Sequence, residues 1–178
     1  EYVINNDLVI NHEKASLKDY FRTVISLNYH PLTILSMSIN DNTCSQCPNG
    51  ISARPFITGN VILHLLNTIL VLILIFKLTN KNILISFLVA AIFGVHPMHV
   101  ESVAWVSERK DVLYSFFFLA GLISYMIYKK KGKYRYVWLC LTFILFVFSC
   151  LSKAMAVVFP VMLLLIDFLM SDTEGEKT

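Results

Sequence analysis

Charge is scarce in this sequence. Asp, Glu, Lys and Arg together make up 15% of its 178 residues, hydrophobic residues make up 56%, and the mean hydropathy is +0.64. That balance leaves too little polar surface for a soluble domain and points to a polytopic membrane protein. A basic stripe interleaved with aromatics is missing too, which argues against a nucleic-acid partner. Cysteines number four, and Cys44-x-x-Cys47 is followed by no second Cys or His pair at zinc spacing, so a disulfide or two free thiols stand beside metal binding. An oxidising compartment would favour the disulfide. Cys140 and Cys150 lie in an apolar run and read as core. No internal repeat of the kind transporters use is visible, and polar residues gather at one surface rather than mid-membrane. The chain opens on Glu1 without a signal-like apolar run, so it is expected to be a fragment.

What is present is a series of apolar segments. Residues 1–58 mix five acids with four bases and hold no spanning run. Ser16 to Asp19 fits a capping box opening an amphipathic segment through about Leu27. NYHPLTILSMSIN is apolar but shorter than the roughly 20 residues a spanning helix needs. Spans are expected at 60–79, 83–95 with an extension through Pro97 toward Trp105, 112–128, 136–151 and 154–170, the last with Pro160 as a tolerated kink. The expected fold is therefore all-α, a polytopic bundle of about five transmembrane helices over residues 59–170. Residues 1–58 form an exoplasmic loop with juxtamembrane helices, and 171–178 a polar cytoplasmic tail.

Alternation of the spans puts 77–82 and 129–135 on one side, with seven Lys or Arg and no acid; the short connections opposite hold three. The positive-inside rule makes the basic side cytoplasmic. The 1–58 loop, the stretch His96 to Asp111 and Lys153 then share the exoplasmic side, the periplasmic face of a bacterial inner membrane.

His96 to Asp111 (HPMHVESVAWVSERKD) is the densest polar stretch beside lipid-length helices, and such density tends to be functional. His96, His99 and Glu101 suggest a divalent metal, although H-x-x-H-x-E is no zinc-protease signature; phosphate binding, hydroxyl bonding or packing beside Pro97 are the alternatives. Glu101 and Glu108, seven residues apart, share a face if the segment is one helix, and could activate an acceptor hydroxyl. Arg109, Lys110 and Lys153 are cations suited to a phosphate, although Glu108 to Asp111 could simply solvate a helix start. Trp105 could stack on a sugar or sit in the interfacial aromatic belt. Asn60, His64 and Asn67 fall at i, i+4 and i+7 and face either neighbouring helices or a substrate cavity.

HPMHVESVAWVSERKDVL, preceded by NYHPLT and HLLNT and followed by LSKAMAVVFPVMLLLIDF, resembles the membrane domain of bacterial tetratricopeptide-repeat membrane proteins. These are similar to the transmembrane and tetratricopeptide-repeat O-mannosyltransferases of the GT-C glycosyltransferase class. The resemblance covers nearly the whole chain, although the 34-residue repeat period itself is absent. It implies a GT-C-like bundle that moves a sugar, with inversion, from a polyprenyl-phosphate donor in the membrane lipid to a protein or glycan hydroxyl. It places the catalytic acid of such proteins just upstream of a motif matching Glu1-Tyr2-Val3. Within this chain the expected catalytic carboxylates are Glu101 and Asp111. The expected donor-phosphate ligands are Arg109, Lys153, His96 and His99, and Asn60, His64, Asn67, His30 and Trp105 are expected to line the cavity. A non-catalytic membrane anchor presenting repeats to partner proteins is the rival.

Overall fold

In the computed structural model the described residues are 6–10, 16–22, 24, 28–39, 52–130 and 134–175, and every regular element among them is a helix. Three short helices come first: α1 (Asp7–Ile10), α2 (Leu17–Arg22) and α3 (Pro31–Ser38). At α2 the expected capping box forms on one side, where the Ser16 amide donates to Asp19 Oδ2 at 2.8 Å. Proline opens α3, where its missing N–H costs nothing. Val9, Tyr20, Ile34, Met37 and Phe56 pack these pieces into one apolar cluster against the fourth helix. The Cys44-x-x-Cys47 pair lies outside the described residues.

The long helix α4 runs Arg54–Leu78, five residues earlier than the expected domain boundary at 59, because Pro55 starts it. It turns through Asn80 and Lys81, both in left-handed backbone (φ 51° and 70°), a conformation Asn tolerates better than most residues. The Asn82 side chain then caps α5 (Ile83–Val95) by accepting from the Ile85 amide. The expected continuation of α5 through Pro97 does not occur. His96 is extended (ψ 129°), as a residue preceding proline tends to be, and a separate helix, α6 (His99–Ala104), follows the corner. Thirteen residues give α5 a length of roughly 20 Å at 1.5 Å per residue, less than a bilayer's hydrocarbon core.

After Trp105 a 3₁₀ turn (Val106–Glu108) leads into α7 (Arg109–Lys129), then α8 (Arg135–Ser152). A second 3₁₀ segment (Ala154–Val158) precedes α9 (Phe159–Gly175). Pro160 is thus the second residue of α9 and starts that helix rather than kinking it. Among the described residues three helical stretches are long and apolar enough to cross a membrane: Arg54–Leu78, Val106–Lys129 and Arg135–Ser152. Ile83–Val95 and Ala154–Met170 are shorter apolar helices. Only 11% of α4's most apolar stretch is buried, so its outer surface demands lipid rather than water.

Side chain to backbone bonds fix the packing. Ser124 donates to the Trp138 carbonyl and Ser149 to the Tyr114 carbonyl, so α7 and α8 run antiparallel with small hydroxyls between them. A Cβ on Gly121 would sit 2.9 Å from the Phe159 ring, so glycine is what lets α9 close on α7. The resulting apolar centre is Leu74, Leu122, Met126, Phe159 and Ile166. Helices α4, α7 and α9 descend while α5 and α8 return. The beginnings of α4 and α7 and the ends of α5 and α8 therefore share one rim, while Phe159 at the start of α9 meets Phe118 and Gly121 partway down α7.

Candidate functional site at the ionic rim

Arg109 opens α7 and is 3% exposed. Its Nε donates to Asn60 Oδ1 at 2.9 Å, Nη1 to the Ser36 carbonyl at 2.9 Å, and Nη2 to the Phe56 carbonyl at 2.8 Å. Asn60 in turn donates to the carbonyls of Val103 and Trp105, at 3.3 and 3.2 Å. One guanidinium and one amide thereby tie α3, α4, α6 and α7 together, using the fixed fork that only Arg offers. Gly59 makes room, since a Cβ there would overlap Nη2. The expectation that Arg109 meets a phosphate is therefore redrawn: these donors are committed to protein oxygens inside the bundle.

Two residues on, Asp111 pairs with Lys153 in a short contact. Lys153 reaches it from the extended corner after α8 and lies 5.7 Å above the Tyr114 ring. Glu108 pairs with Lys110 at 3.0 Å. The Thr33 hydroxyl donates to the Ser152 carbonyl at 3.1 Å, bringing the start of α3 beside the same corner. His30, the residue preceding α3, is 6% exposed there, and its Nδ1 has no hydrogen-bond partner among the described residues. Burial, then the ammonium groups of Lys110 and Lys153, hold its imidazole below the usual value against an opposing pull from Asp111 and Glu108. Residues from positions 30, 108–114 and 153 thus form one partly exposed ionic cluster.

The remaining residues fall elsewhere on the rim. Asn67 is 1% exposed and donates to the Val112 carbonyl at 2.8 Å. A His64 ring nitrogen lies 3.1 Å from the Gly94 carbonyl. With Asn60 bonded as above, the i, i+4, i+7 face of α4 binds neighbouring backbone, the helix-joining alternative of the two weighed for it. His64 stacks on Phe93 and His99 packs tilted against both, with ring centroids 4.5–5.6 Å apart, and His96 meets His99 at 6.0 Å. Burial and then its two histidine neighbours keep His99 below its usual pKa. This aromatic group lies on the α4–α5 side of the rim, and no contact among the described residues joins it to Lys153. Among the described residues no three His, Cys, Asp or Glu side chains come together as a metal would require.

Glu101 is exposed in the first turn of α6. The shared face expected for Glu101 and Glu108 does not exist, because extended Trp105 (ψ 122°) breaks the helix between them. Trp105 contributes its carbonyl to Asn60, while its ring is 58% exposed. His30 was expected only as a cavity-lining residue, and no expectation attached to Tyr114, Thr33 or Gly59. Only His30 carried a local signal, a histidine immediately before a helix-starting proline.

This architecture is that of an α-helical membrane protein with an ionic cluster at one rim of its bundle. The chain is similar to the protein O-mannosyl-transferases. It is 37% identical over 98 residues to protein O-mannosyl-transferase TMTC1 of Mus musculus, covering 55% of this chain and 10% of that protein. With TMTC3 of Mus musculus it shares 34% over 110 residues, 59% of this chain and 10% of the relative. With TMTC4 of Mus musculus it shares 30% over 153 residues, 74% of this chain and 20% of the relative. The chain thus spans a tenth to a fifth of the length of the curated relatives it matches. No family model and no solved structure matches it.

Proposed function

We propose that this chain is the donor-side part of an integral-membrane glycosyltransferase that takes a sugar from a polyprenyl-phosphate donor at the exoplasmic face and attaches it to a hydroxyl, that of a protein acceptor in the first instance. The observation that carries the reading is the meeting of Asp111, Lys153, Lys110, Glu108 and His30 at one rim, beside helices whose outer surfaces suit a lipid tail. The named activity of the similar proteins supports it. In the proposed step a carboxylate accepts the acceptor's O–H proton while its oxygen forms a new bond to the anomeric carbon. The bond from that carbon to the donor phosphate breaks, its electron pair leaving with the polyprenyl phosphate. Lys153 and Lys110 would balance the growing phosphate charge, and Asp111 or exposed Glu101 would take the proton. Asp111 holds Lys153 in the resting state, so the arriving phosphate competes for that ammonium and frees the carboxylate. Arg109 takes a positioning role, holding the start of α7 and with it Asp111.

The test is transfer of sugar from a polyprenyl-phosphate donor to an acceptor peptide by the complete protein in membranes. Lys153→Met and Asp111→Asn are each expected to lower turnover by about a hundredfold or more. Unchanged turnover in both variants, with helix content retained, would overturn the residue assignment, and absence of transfer by the wild-type protein would favour the anchor reading.

A further inference from the structure

The opposite rim is also built from charge, and there the cations are sequence neighbours. Lys129 and Lys130 end α7, Arg135 begins α8, and no acid stands in the connection between them. Among the described residues Asp167 of α9 reaches this group, pairing with Lys129 at 3.1 Å and accepting from the Tyr125 hydroxyl at 2.8 Å. Lys130 is exposed at the same end. Arg135 is pre-set by aromatic neighbours: its guanidinium carbon lies 4.9 Å from the Tyr128 ring centre and 5.4 Å from that of Tyr136, and Nη2 donates to the Tyr128 hydroxyl at 3.2 Å. Its Nε is buried without a hydrogen-bond partner among the described residues. Tyr134 and Tyr136 are 65% and 69% exposed, placing amphipathic rings at headgroup level around the cations.

We infer that the rim formed by Lys130, Arg135, Tyr134 and Tyr136 is a binding site for the headgroup of an anionic phospholipid. A cation cluster at this depth meets a ligand present in the same plane, and a phosphodiester oxygen suits a guanidinium held against two tyrosine rings. Lys129, already neutralised by Asp167, anchors α9 to α7 instead of contributing net charge. The site is independent of sugar transfer at the other rim.

The experiment reconstitutes the chain into nanodiscs of mixed phosphatidylglycerol and phosphatidylcholine and measures the lipids that remain bound, by native mass spectrometry. Phosphatidylglycerol is expected to be enriched, and the enrichment to fall by about fivefold for each cation removed in Lys130→Gln and Arg135→Gln. Arg135→Lys is expected to lose part of the enrichment, keeping charge without the planar fork. Lys18→Gln, at an exposed position of α2 away from this rim, serves as the far-rim variant and should leave it unchanged, and excess inorganic phosphate should not displace the lipid. Absence of enrichment, equal loss from the far-rim variant, or displacement by free phosphate would each overturn the proposal.

Discussion

The two ends of this bundle use charge in opposite ways. At the ionic rim, cations come paired or fully coordinated: Arg109 with Asn60 and two carbonyls, Lys153 with Asp111, and Lys110 with Glu108. These partners are separated in sequence by up to 73 residues, as between Arg109 and Ser36. At the basic rim the cations are sequence neighbours, and among the described residues Asp167 reaches them from another helix. Compensated charge in a partly buried setting organises tertiary structure, because leaving one partner alone there is costly. Uncompensated charge at a solvated surface organises little inside the protein and is left to act on the surroundings.

Substitutions can break this contrast, and the largest loss should come from the deepest charge. Arg109→Ala strands Asn60 Oδ1, the buried Phe56 carbonyl and the half-buried Ser36 carbonyl, and should cost about 3 kcal/mol or more of stability, read as thermal unfolding in detergent. Gly59→Ala should reproduce much of that loss by displacing the guanidinium, and equal stability of either variant and wild type would dissolve the pinning role. Next comes the half-buried pair of Asp111 and Lys153. Exchanging its members in Asp111→Lys/Lys153→Asp should recover most of the roughly 1 kcal/mol that either single change removes. Sugar transfer should stay abolished, because the ammonium and carboxylate have traded places. Recovery of both properties together would make the pair structural only.

A smaller effect follows from His30. Its folded-state pKa lies below the usual 6.5 through burial and the nearby Lys110 and Lys153, so the unfolded chain binds the proton more readily than the folded one. Stability is therefore fully present above about pH 6.5 and declines as pH falls below it toward the folded value. His99, shifted the same way, adds to the decline. Unfolding midpoints measured from about pH 7.5 to about pH 5.5 should fall in wild type and fall less steeply in His30→Gln; parallel slopes would remove His30 from the account. The smallest change is expected at the basic rim. Lys129→Gln breaks a pair whose side chains are 38% and 35% exposed, and should shift stability by less than about 1 kcal/mol. A loss as large as that of Arg109→Ala would erase the distinction between the rims.

Much of the membrane architecture was legible in the order of residues. Apolar run length marked α4, α7 and α8, and alternation alone put Arg109 and Lys153 at the same end, where they lie. The i, i+4, i+7 spacing correctly grouped Asn60, His64 and Asn67. It could not say whether backbone or substrate would satisfy them, because that depends on which carbonyls the next helices bring within 3 Å or so. The break at Trp105 was also hidden: HVESVAWVSE has no glycine, and the proline lies upstream.

By itself, the sequence determined that this protein is helical, lives in a membrane and gathers its ionisable groups at the rims, since hydropathy and spacing act over one helix length. Which cation is buried and which stays available was decided only by tertiary structure. Arg109 and Lys110 are adjacent in the chain, yet one points among carbonyls contributed by α3 and α4 while the other pairs at the surface with Glu108. A cation's environment is set by the partners that packing delivers to it, and those come from distant segments that no local pattern encodes.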